Sequence, residues 1–254
     1  MDLEGKVVVI TGAGRGLGAT TAEVCSREGA KVVIADIMED WVTGVADAIS
    51  AKGGEAASIK VDVTDPAQVE RMIKFAVDRF GKLDGIVNNA ATIVVKKAGE
   101  LTPEEWKKVI DVNLTGVFYG CKYALNQFER QGTGGSIVNI GSISGVVGMP
   151  EQASYCAAKG GVLQLTKQIA IDYALKAIRC NSVGPGSIEG EFVRVYIDNQ
   201  TDPVLAEKRL FGSHPMGRIA DPVEIANAIV YFLSDKSTFT TGANLQVDGG
   251  YSAQ

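Results

Sequence analysis

Tyr155 and Lys159 stand four positions apart, a spacing that a helix converts into a shared face, with an ammonium beside a phenol. An unperturbed phenol has a pKa of about 10 and is a poor base at neutral pH. A neighbouring cation favours the phenolate, and each unit of lowering is worth roughly 1.4 kcal/mol. The pair can therefore make a tyrosine that takes and returns protons. Solvated helices also carry tyrosine and lysine at this spacing by chance, so the rest of the chain decides between the two readings. Asn113 and Ser142 precede the pair, and the four residues are read together as one catalytic set.

Near the start of the chain, Val7-Val8-Val9-Ile10 reads as a short buried strand that runs into Thr11-Gly12-Ala13-Gly14-Arg15-Gly16-Leu17-Gly18. Glycine at every second position suits neither a strand nor a helix interior. It suits a strand-to-helix turn whose backbone approaches a phosphate closely. A pyrophosphate would then sit at the N-terminus of the next helix, where free N–H groups and the dipole favour an anion. That helix is expected from about Gly16 to Arg27, and Gly12, Arg15, Gly16, Leu17 and Gly18 become candidate cofactor contacts. The spacing Gly12-x-x-x-Gly16-x-Gly18 is not the common dinucleotide fingerprint, whose looser form is matched by Gly14, Gly16 and Ala19. The context therefore carries the weight.

A second apolar strand, Lys31 to Ala35, ends in Asp36, about twenty residues past Gly16, where an acid accepts hydrogen bonds from both hydroxyls of an adenosine ribose. A carboxylate there repels the extra phosphate of NADP. Ala35, Ile37 and Met38 supply no positive charge to offset it, so NAD is the expected cofactor, with Asp36 and Ile37 beside its ribose. Alternatively, Asp36 only caps the next helix. Arg15 could meet a 2′-phosphate, but without a basic partner after the second strand it is expected at the surface.

Thr11-Gly12-x-x-x-Gly16-x-Gly18, Asp62-Val63, Asn88-Asn89-Ala90, Asn113, Ser142, Tyr155-x-x-x-Lys159 and Pro185-Gly186 follow in the order of the short-chain dehydrogenase/reductase family. The chain resembles that family over essentially its whole length, through Thr241-Gly242 and Val247-Asp248-Gly249-Gly250. The resemblance implies that Asp62 and Val63 contact the adenine, although Asp62 could also cap the helix after it. It implies that Asn89 and Ala90 brace the sheet and touch the ribose, that Pro185 and Gly186 turn beside the nicotinamide, and that Ile188 offers its backbone to the carboxamide. Ser142 would hydrogen-bond the substrate oxygen, with Ser144 as its rival in the same loop. Tyr155 would take the hydroxyl proton as hydride leaves for the cofactor. Lys159 would lower the tyrosine pKa and hold the ribose, and Asn113 would interrupt a long helix and hold a water that links Lys159 to solvent. Two positions depart from the family pattern: Ala91 stands where glycine is usual, narrowing the pocket, and Gly190 where threonine often binds the cofactor, leaving Ser187 or Glu189 to replace it.

These residues need a scaffold. The 254 residues, 46% of them hydrophobic, can bury one large core. Strands are expected near Val7 to Thr11, Lys31 to Ala35, Ala56 to Val61, Gly85 to Asn88, Ser136 to Ile140, Arg179 to Val183 and Asn244 to Val247, with amphipathic helices between them. The fold expected for 1–254 is α/β, a single-domain Rossmann-like doubly wound parallel sheet of about seven strands with helices on both faces. Ligands of such sheets bind beyond the carboxyl ends of the strands.

The net charge of −5 argues against nucleic acid and anionic membrane as partners. An acidic start, Met1-Asp2-Leu3-Glu4, and the lack of a long apolar run predict a cytoplasmic protein. Cys25, Cys121, Cys156 and Cys180 form no Cys-x-x-Cys, and His214 is the one histidine, so neither a disulfide framework nor a metal site is expected. His214 is read as structural or loosely facing the substrate.

Substrate specificity is expected in a lid around 187–215, the least patterned long segment. Phe192, Val195, Tyr196, Leu210 and Phe211, with Val146, Val147 and Met149 from the serine loop, suggest a moderately hydrophobic, uncharged and possibly cyclic secondary alcohol or ketone. The same residues could instead pack a lid helix onto the core. Helices at 103–130 and 152–174 carry Val117, Phe118, Cys121, Leu125, Val162, Leu165 and Ile169, more apolar surface than one sheet face needs. With the family's habit of associating through these helices, this predicts a homotetramer. The leading functional expectation is an NAD-dependent alcohol dehydrogenase or ketone reductase. The alternatives are a 3-oxoacyl-carrier-protein reductase-like enzyme, against which Asp36 argues, and a non-catalytic dinucleotide-binding protein, which has no need of the four residues together.

Overall fold

Alternating burial decides how the first strand sits. In β1, Val7–Thr11, the side chains of Val8 and Ile10 enter one apolar cluster and those of Val7 and Val9 enter another, so both faces are covered. The computed structural model describes residues 1–198 and 200–254, with the side chains at 191, 192, 195 and 196 outside that description. After β1 come α1, Gly16–Arg27; β2, Lys31–Asp36; α2, Glu39–Ala51; β3, Ala56–Lys60; α3, Pro66–Phe80; and β4, Gly85–Asn88. The second half continues with α4, Pro103–Ile110; α5, Gly116–Gln131; β5, Gly135–Ile140; α6, Ala153–Tyr173; and β6, Ile178–Pro185. It closes with α7, Glu191–Asp198; α8, Pro203–Gly212; α9, Pro222–Leu233; and β7, Asn244–Val247.

The strands form one parallel sheet in the order β3-β2-β1-β4-β5-β6-β7. The order reverses between β1 and β4, which opens a crevice at their carboxyl ends. Helices α1, α2 and α9 cover one face through residues such as Val24, Ile49 and Ile229, and α3, α5 and α6 cover the other through Met72, Phe128 and Val162. Local signals set the helix ends. Asp65 accepts from the Ala67 and Gln68 N–H groups ahead of Pro66 in α3, which ends at Gly81 with φ of 85°. Capping boxes open α4, from Thr102 and Glu105, and α9, from Asp221 and Glu224. Asp62 is therefore not the cap of α3; its Oδ1 accepts from the Thr64 N–H and hydroxyl in the turn before it.

The helix expected at 103–130 is three pieces, with a π-helical turn at Asp111–Thr115 between α4 and α5. The apolar residues expected to be surplus on these helices are mostly core: Val117, Cys121, Leu125, Val162 and Ile169 are buried within the chain, and Leu165 packs against them. Phe118 is the exception and is exposed, together with Trp106, Ile171 and Leu175. Cys25, Cys121 and Cys180 are buried thiols and Cys156 is half-buried. Among the described residues no helix is long and apolar enough to cross a membrane, and no cluster of ligating side chains could hold a metal ion. The two ends of the chain meet: α1 lies against α9, Lys6 Nζ reaches Asp235 Oδ1 at 2.5 Å, and Lys236 Nζ reaches Asp2 Oδ2 at 2.6 Å.

Candidate active site

The turn after β1 is shaped by what its glycines touch. A Cβ on Gly12, at φ of +62°, would lie 2.6 Å from Ala90 Cα, and one on Gly18 would lie 2.2 Å from the Gly12 carbonyl oxygen. Gly16, at φ of +54°, has open space on the same side. Asn89 fixes the turn from β4, its Nδ2 donating to the Thr11 and Gly12 carbonyls at 2.9 Å each. The Thr11 hydroxyl accepts the Asn89 and Ala90 N–H groups at 3.0 and 3.2 Å. Asn89 thus braces the turn. Bracing of the sheet falls to its neighbour Asn88, which donates to Asn139 Oδ1 at 2.8 Å, while Asn139 Nδ2 donates to Thr166 Oγ1 at 2.9 Å. The N-terminus of α1 has no side-chain cap and no acid in its first turn, so its N–H groups face the crevice uncompensated.

At the end of β2, Asp36 turns toward this helix start. Its Oδ2 accepts the Gly14 N–H at 3.1 Å and its Oδ1 accepts the Met38 N–H at 3.2 Å. Arg15 is exposed, as expected, but it is ordered by Trp41, whose ring centroid lies 4.4 Å from the guanidinium carbon. These groups suit the phosphates and ribose of a dinucleotide: close backbone, an uncapped helix start and an acid one strand away.

The catalytic candidates meet beyond β4, β5 and β6. Ser142 follows β5 and is 9% exposed, its hydroxyl accepting the Ser144 N–H at 3.1 Å. The rival Ser144 is buried and donates its hydroxyl to Gln152 Oε1 at 3.2 Å, which leaves Ser142 as the serine of the cleft. Lys159 is buried, 2% exposed, and donates to the Ile140 carbonyl at 2.7 Å. Its Nζ lies 5.5 Å from the Tyr155 ring centroid, over the ring.

Burial governs both titrations. It pushes Lys159 down to about 8, and it pushes Tyr155, which keeps part of its surface in the cleft, up to about 12. The Ser142 hydroxyl pulls the tyrosine back, and the nearby Cys156 thiol adds to the rise. The expected lowering of the phenol by the lysine is thus overridden, because the ammonium is spent on the Ile140 carbonyl and desolvation is the larger effect.

Asn113 is fully buried in the π-helical turn, and its amide is occupied by the chain itself, in bonds to the main chain of Thr92. Gly186 is pressed between His214 and Asp248: a Cβ there would lie 2.8 Å from His214 Nε2 and 3.0 Å from Asp248 Cα. Ile188 pairs with Ala220 through a bridge made by the Ser187 carbonyl and the Glu189 N–H on either side of it. Gly190 has φ of +155° and open space, and Glu189 reaches Arg194 at 3.5 Å.

All of the expected site residues except Asn113 line a single cleft of about 730 Å³. Ala91 lines it too and is exposed. Leu210 and Phe211 are half-buried, while the side chains of Phe192, Val195 and Tyr196 lie outside the described residues. Sequence reasoning missed Trp41, Thr92, Val193 and the Ile140 carbonyl. Trp41, an aromatic shortly after Asp36, could have been found, whereas a main-chain acceptor has no sequence signal. A smaller hollow of about 300 Å³ beside Phe128 and Lys176 lies at the opposite ends of β5 and β6, away from these groups.

Comparison with known proteins bears on this site. The family model described as Enoyl-(Acyl carrier protein) reductase matches residues 12–252. A cyclohexanol dehydrogenase of Acinetobacter sp. (strain SE19) is 40% identical over 250 residues, covering 98% of this chain and 96% of that protein. A trans-4-hydroxycyclohexanecarboxylate dehydrogenase of Sinomonas cyclohexanicum is 42% identical over 254 residues, covering 98% and 93%. The crystal structure of gox2181 superimposes with a TM-score of 0.94 at 30% identity, covering 99% of this chain and 97% of that one.

Proposed function

Since the chain belongs to the short-chain dehydrogenase/reductase family, we propose that it is an NAD-dependent oxidoreductase interconverting a secondary alcohol and a ketone on a moderately hydrophobic, cyclic substrate. The observation that carries this reading is the meeting of Ser142, Tyr155 and Lys159 at one end of a cleft whose other end holds Asp36 and the glycine turn. The cyclic substrate is supported by the relatives named for cyclohexanol and hydroxycyclohexanecarboxylate. NAD is supported by the Asp36 carboxylate, oriented by the Gly14 and Met38 N–H groups toward the place of the adenosine ribose.

The nicotinamide supplies the hydride acceptor, and the chain's residues manage the proton. The Ser142 hydroxyl holds the substrate oxygen and stabilises charge on it. Tyr155 Oη takes the hydroxyl proton in oxidation and returns it in reduction. Burial opposes a phenolate at this position, and the Ser142 hydroxyl works against that rise, with the Lys159 ammonium held beside the ring. Asn113 holds the strand of chain around Thr92 against the catalytic helix. The segment 187–215 acts as the substrate-binding lid. The exposed Trp106, Phe118 and Ile171 on α4, α5 and α6 support association of these helices into a homotetramer, and the reading places the enzyme in the cytoplasm.

The test is hydride transfer with NAD and NADP against cyclic, aromatic, linear and sugar alcohols and an acyl thioester ketone. Turnover should be best with cyclic alcohols and NAD, and Tyr155→Phe should lose about 100-fold or more. Undiminished turnover in that variant sinks the assignment. Preference for the thioester with NADP would favour the acyl-carrier reductase instead.

A further inference from the structure

Tyr251 and the residues around it reach back to two segments that border the cleft, the loop after Ser142 and the segment after Gly186. Tyr251 donates its hydroxyl to Met149 Sδ at 3.4 Å, and its ring lies against His214 with centroids 5.3 Å apart and planes at 56°. Met149 belongs to the loop that leaves Ser142 and returns to Tyr155. His214 is fully engaged elsewhere: Nε2 accepts the Ser187 N–H at 3.1 Å, and Nδ1 lies 3.0 Å from the Leu210 carbonyl. Since Nε2 is an acceptor, the ring is the neutral tautomer with its proton on Nδ1, shared with Leu210. One tyrosine therefore joins the serine loop to His214, and His214 in turn holds Ser187.

The tail that carries it is built, not loose. Asp248 Oδ1 accepts the Gly250 N–H at 3.0 Å, and Oδ2 accepts the Ser252 N–H at 3.0 Å and its hydroxyl at 2.5 Å. Gln254 Nε2 donates to the Ser213 carbonyl at 3.1 Å.

We infer that Tyr251 is a positioning residue for the substrate: acting through Met149 and His214, it sets the separation of the two segments and so the size of ring the site admits. The inference rests on the proposed alcohol–ketone reading. Ser142 and Tyr155 fix the substrate's oxygen, so differences in size must be absorbed at the far end, between these segments. A methionine turns about three side-chain bonds and adapts to what it meets. Tied by its sulfur, Met149 holds the loop after Ser142 in a defined place beside the cleft. Loops held by few contacts open at low free energy, and the Tyr251 contacts remove that freedom from the serine loop.

The experiment compares wild type with Tyr251→Phe, which keeps the ring and loses the hydroxyl, Tyr251→Ala, and Met149→Ala. Measured are kcat and KM for cyclohexanol and for a bulkier 4-substituted cyclohexanol, NAD affinity by fluorescence titration, and amide hydrogen exchange over 143–152. In Tyr251→Ala and Met149→Ala, KM for cyclohexanol rises about 10-fold, more than kcat falls, and selectivity moves toward the bulkier alcohol. NAD affinity stays the same, exchange over the loop speeds up in the Tyr251 variants, and Tyr251→Phe shows the same changes at reduced size. Unchanged selectivity, or unchanged loop exchange, overturns the inference, and Tyr251→Phe decides if the alanine variant fails to fold. A wild type inert toward both alcohols overturns the functional reading, while the exchange measurement still decides the strut.

Discussion

Asn113 and the main chain of Thr92 bind each other twice, Nδ2 donating to the carbonyl at 2.7 Å and Oδ1 accepting the N–H at 2.8 Å. A side-chain amide is here doing the work of a β-strand partner, joining the loop after β4 to the π-helical turn. Asn113→Ala leaves both Thr92 groups unpaired and should cost about 2–4 kcal/mol. Urea unfolding reads this directly, and an unchanged midpoint removes the loop-fixing role.

Lys159 is held against its own preference. Its folded pKa of about 8 lies below the ordinary 10.5, so burial of the charge is a penalty that is fully present below pH 8. The penalty fades as pH rises and is gone above the unfolded value. Lys159→Met should therefore raise stability by about 1–3 kcal/mol at pH 7 while abolishing turnover, with an advantage that shrinks toward pH 10. Thermal melts at several pH values check the sign. A variant less stable than wild type at pH 7 would show that the Ile140 hydrogen bond outweighs desolvation.

Asp36→Ala removes the acid that faces the glycine turn. Losing a charge-assisted pair of hydrogen bonds to a ribose should lower kcat/KM for NAD by about 10–100-fold, and removing the negative charge should improve NADP. Steady-state kinetics with both cofactors decides it, and an NADP rate that falls in step with NAD contradicts the charge argument.

Gly18→Ala and Gly16→Ala make a matched pair. The added methyl at Gly18 meets the Gly12 carbonyl oxygen at 2.2 Å, while at Gly16 it meets nothing within 4 Å and only the φ of +54° resists. Gly18→Ala should lose about 2–3 kcal/mol and Gly16→Ala about 1 kcal/mol. Calorimetry on the two variants tests the order, and equal losses would mean that crowding is relieved by movement of the turn.

Much of this architecture is legible in the residues. The strands Val7–Thr11 and Gly85–Asn88 fall where apolar runs bounded by turn residues place them, because a buried parallel strand needs both faces apolar. The glycine turn and Asp36 are readable for the same kind of reason, since close approach and charge admit few residue types. What stays hidden depends on main-chain atoms or on three-dimensional convergence. The Ile140 carbonyl that accepts the Lys159 hydrogen bond could belong to any residue type, and the π-helical turn at Asp111–Thr115 leaves the apolar pattern intact. The surplus of apolar residues on α5 and α6 misleads because α5 packs on α3, and α6 on α4 and the π-helical turn, as well as on the sheet. The site residues themselves were visible as types, while the thioether, imidazole and phenol of Met149, His214 and Tyr251 carry no motif.

The meeting of α1 with α9 has a consequence for how the protein comes into being on the ribosome. Ala22, Val24 and Cys25 of α1 share a cluster with Ile225, Ala226 and Ile229 of α9, so the helix that starts at the glycine turn is covered by a helix synthesised roughly two hundred residues later. A nascent chain can pair β1 with β2 early, yet it keeps an apolar flank of α1 bare until Pro222–Leu233 has emerged. Contacts of such long sequence separation slow folding and leave sticky surface exposed meanwhile. Products terminated before Pro222–Leu233 should accordingly aggregate or be degraded, not accumulate as partial dinucleotide binders, and fusions that delay release of that helix should be the ones that need chaperones.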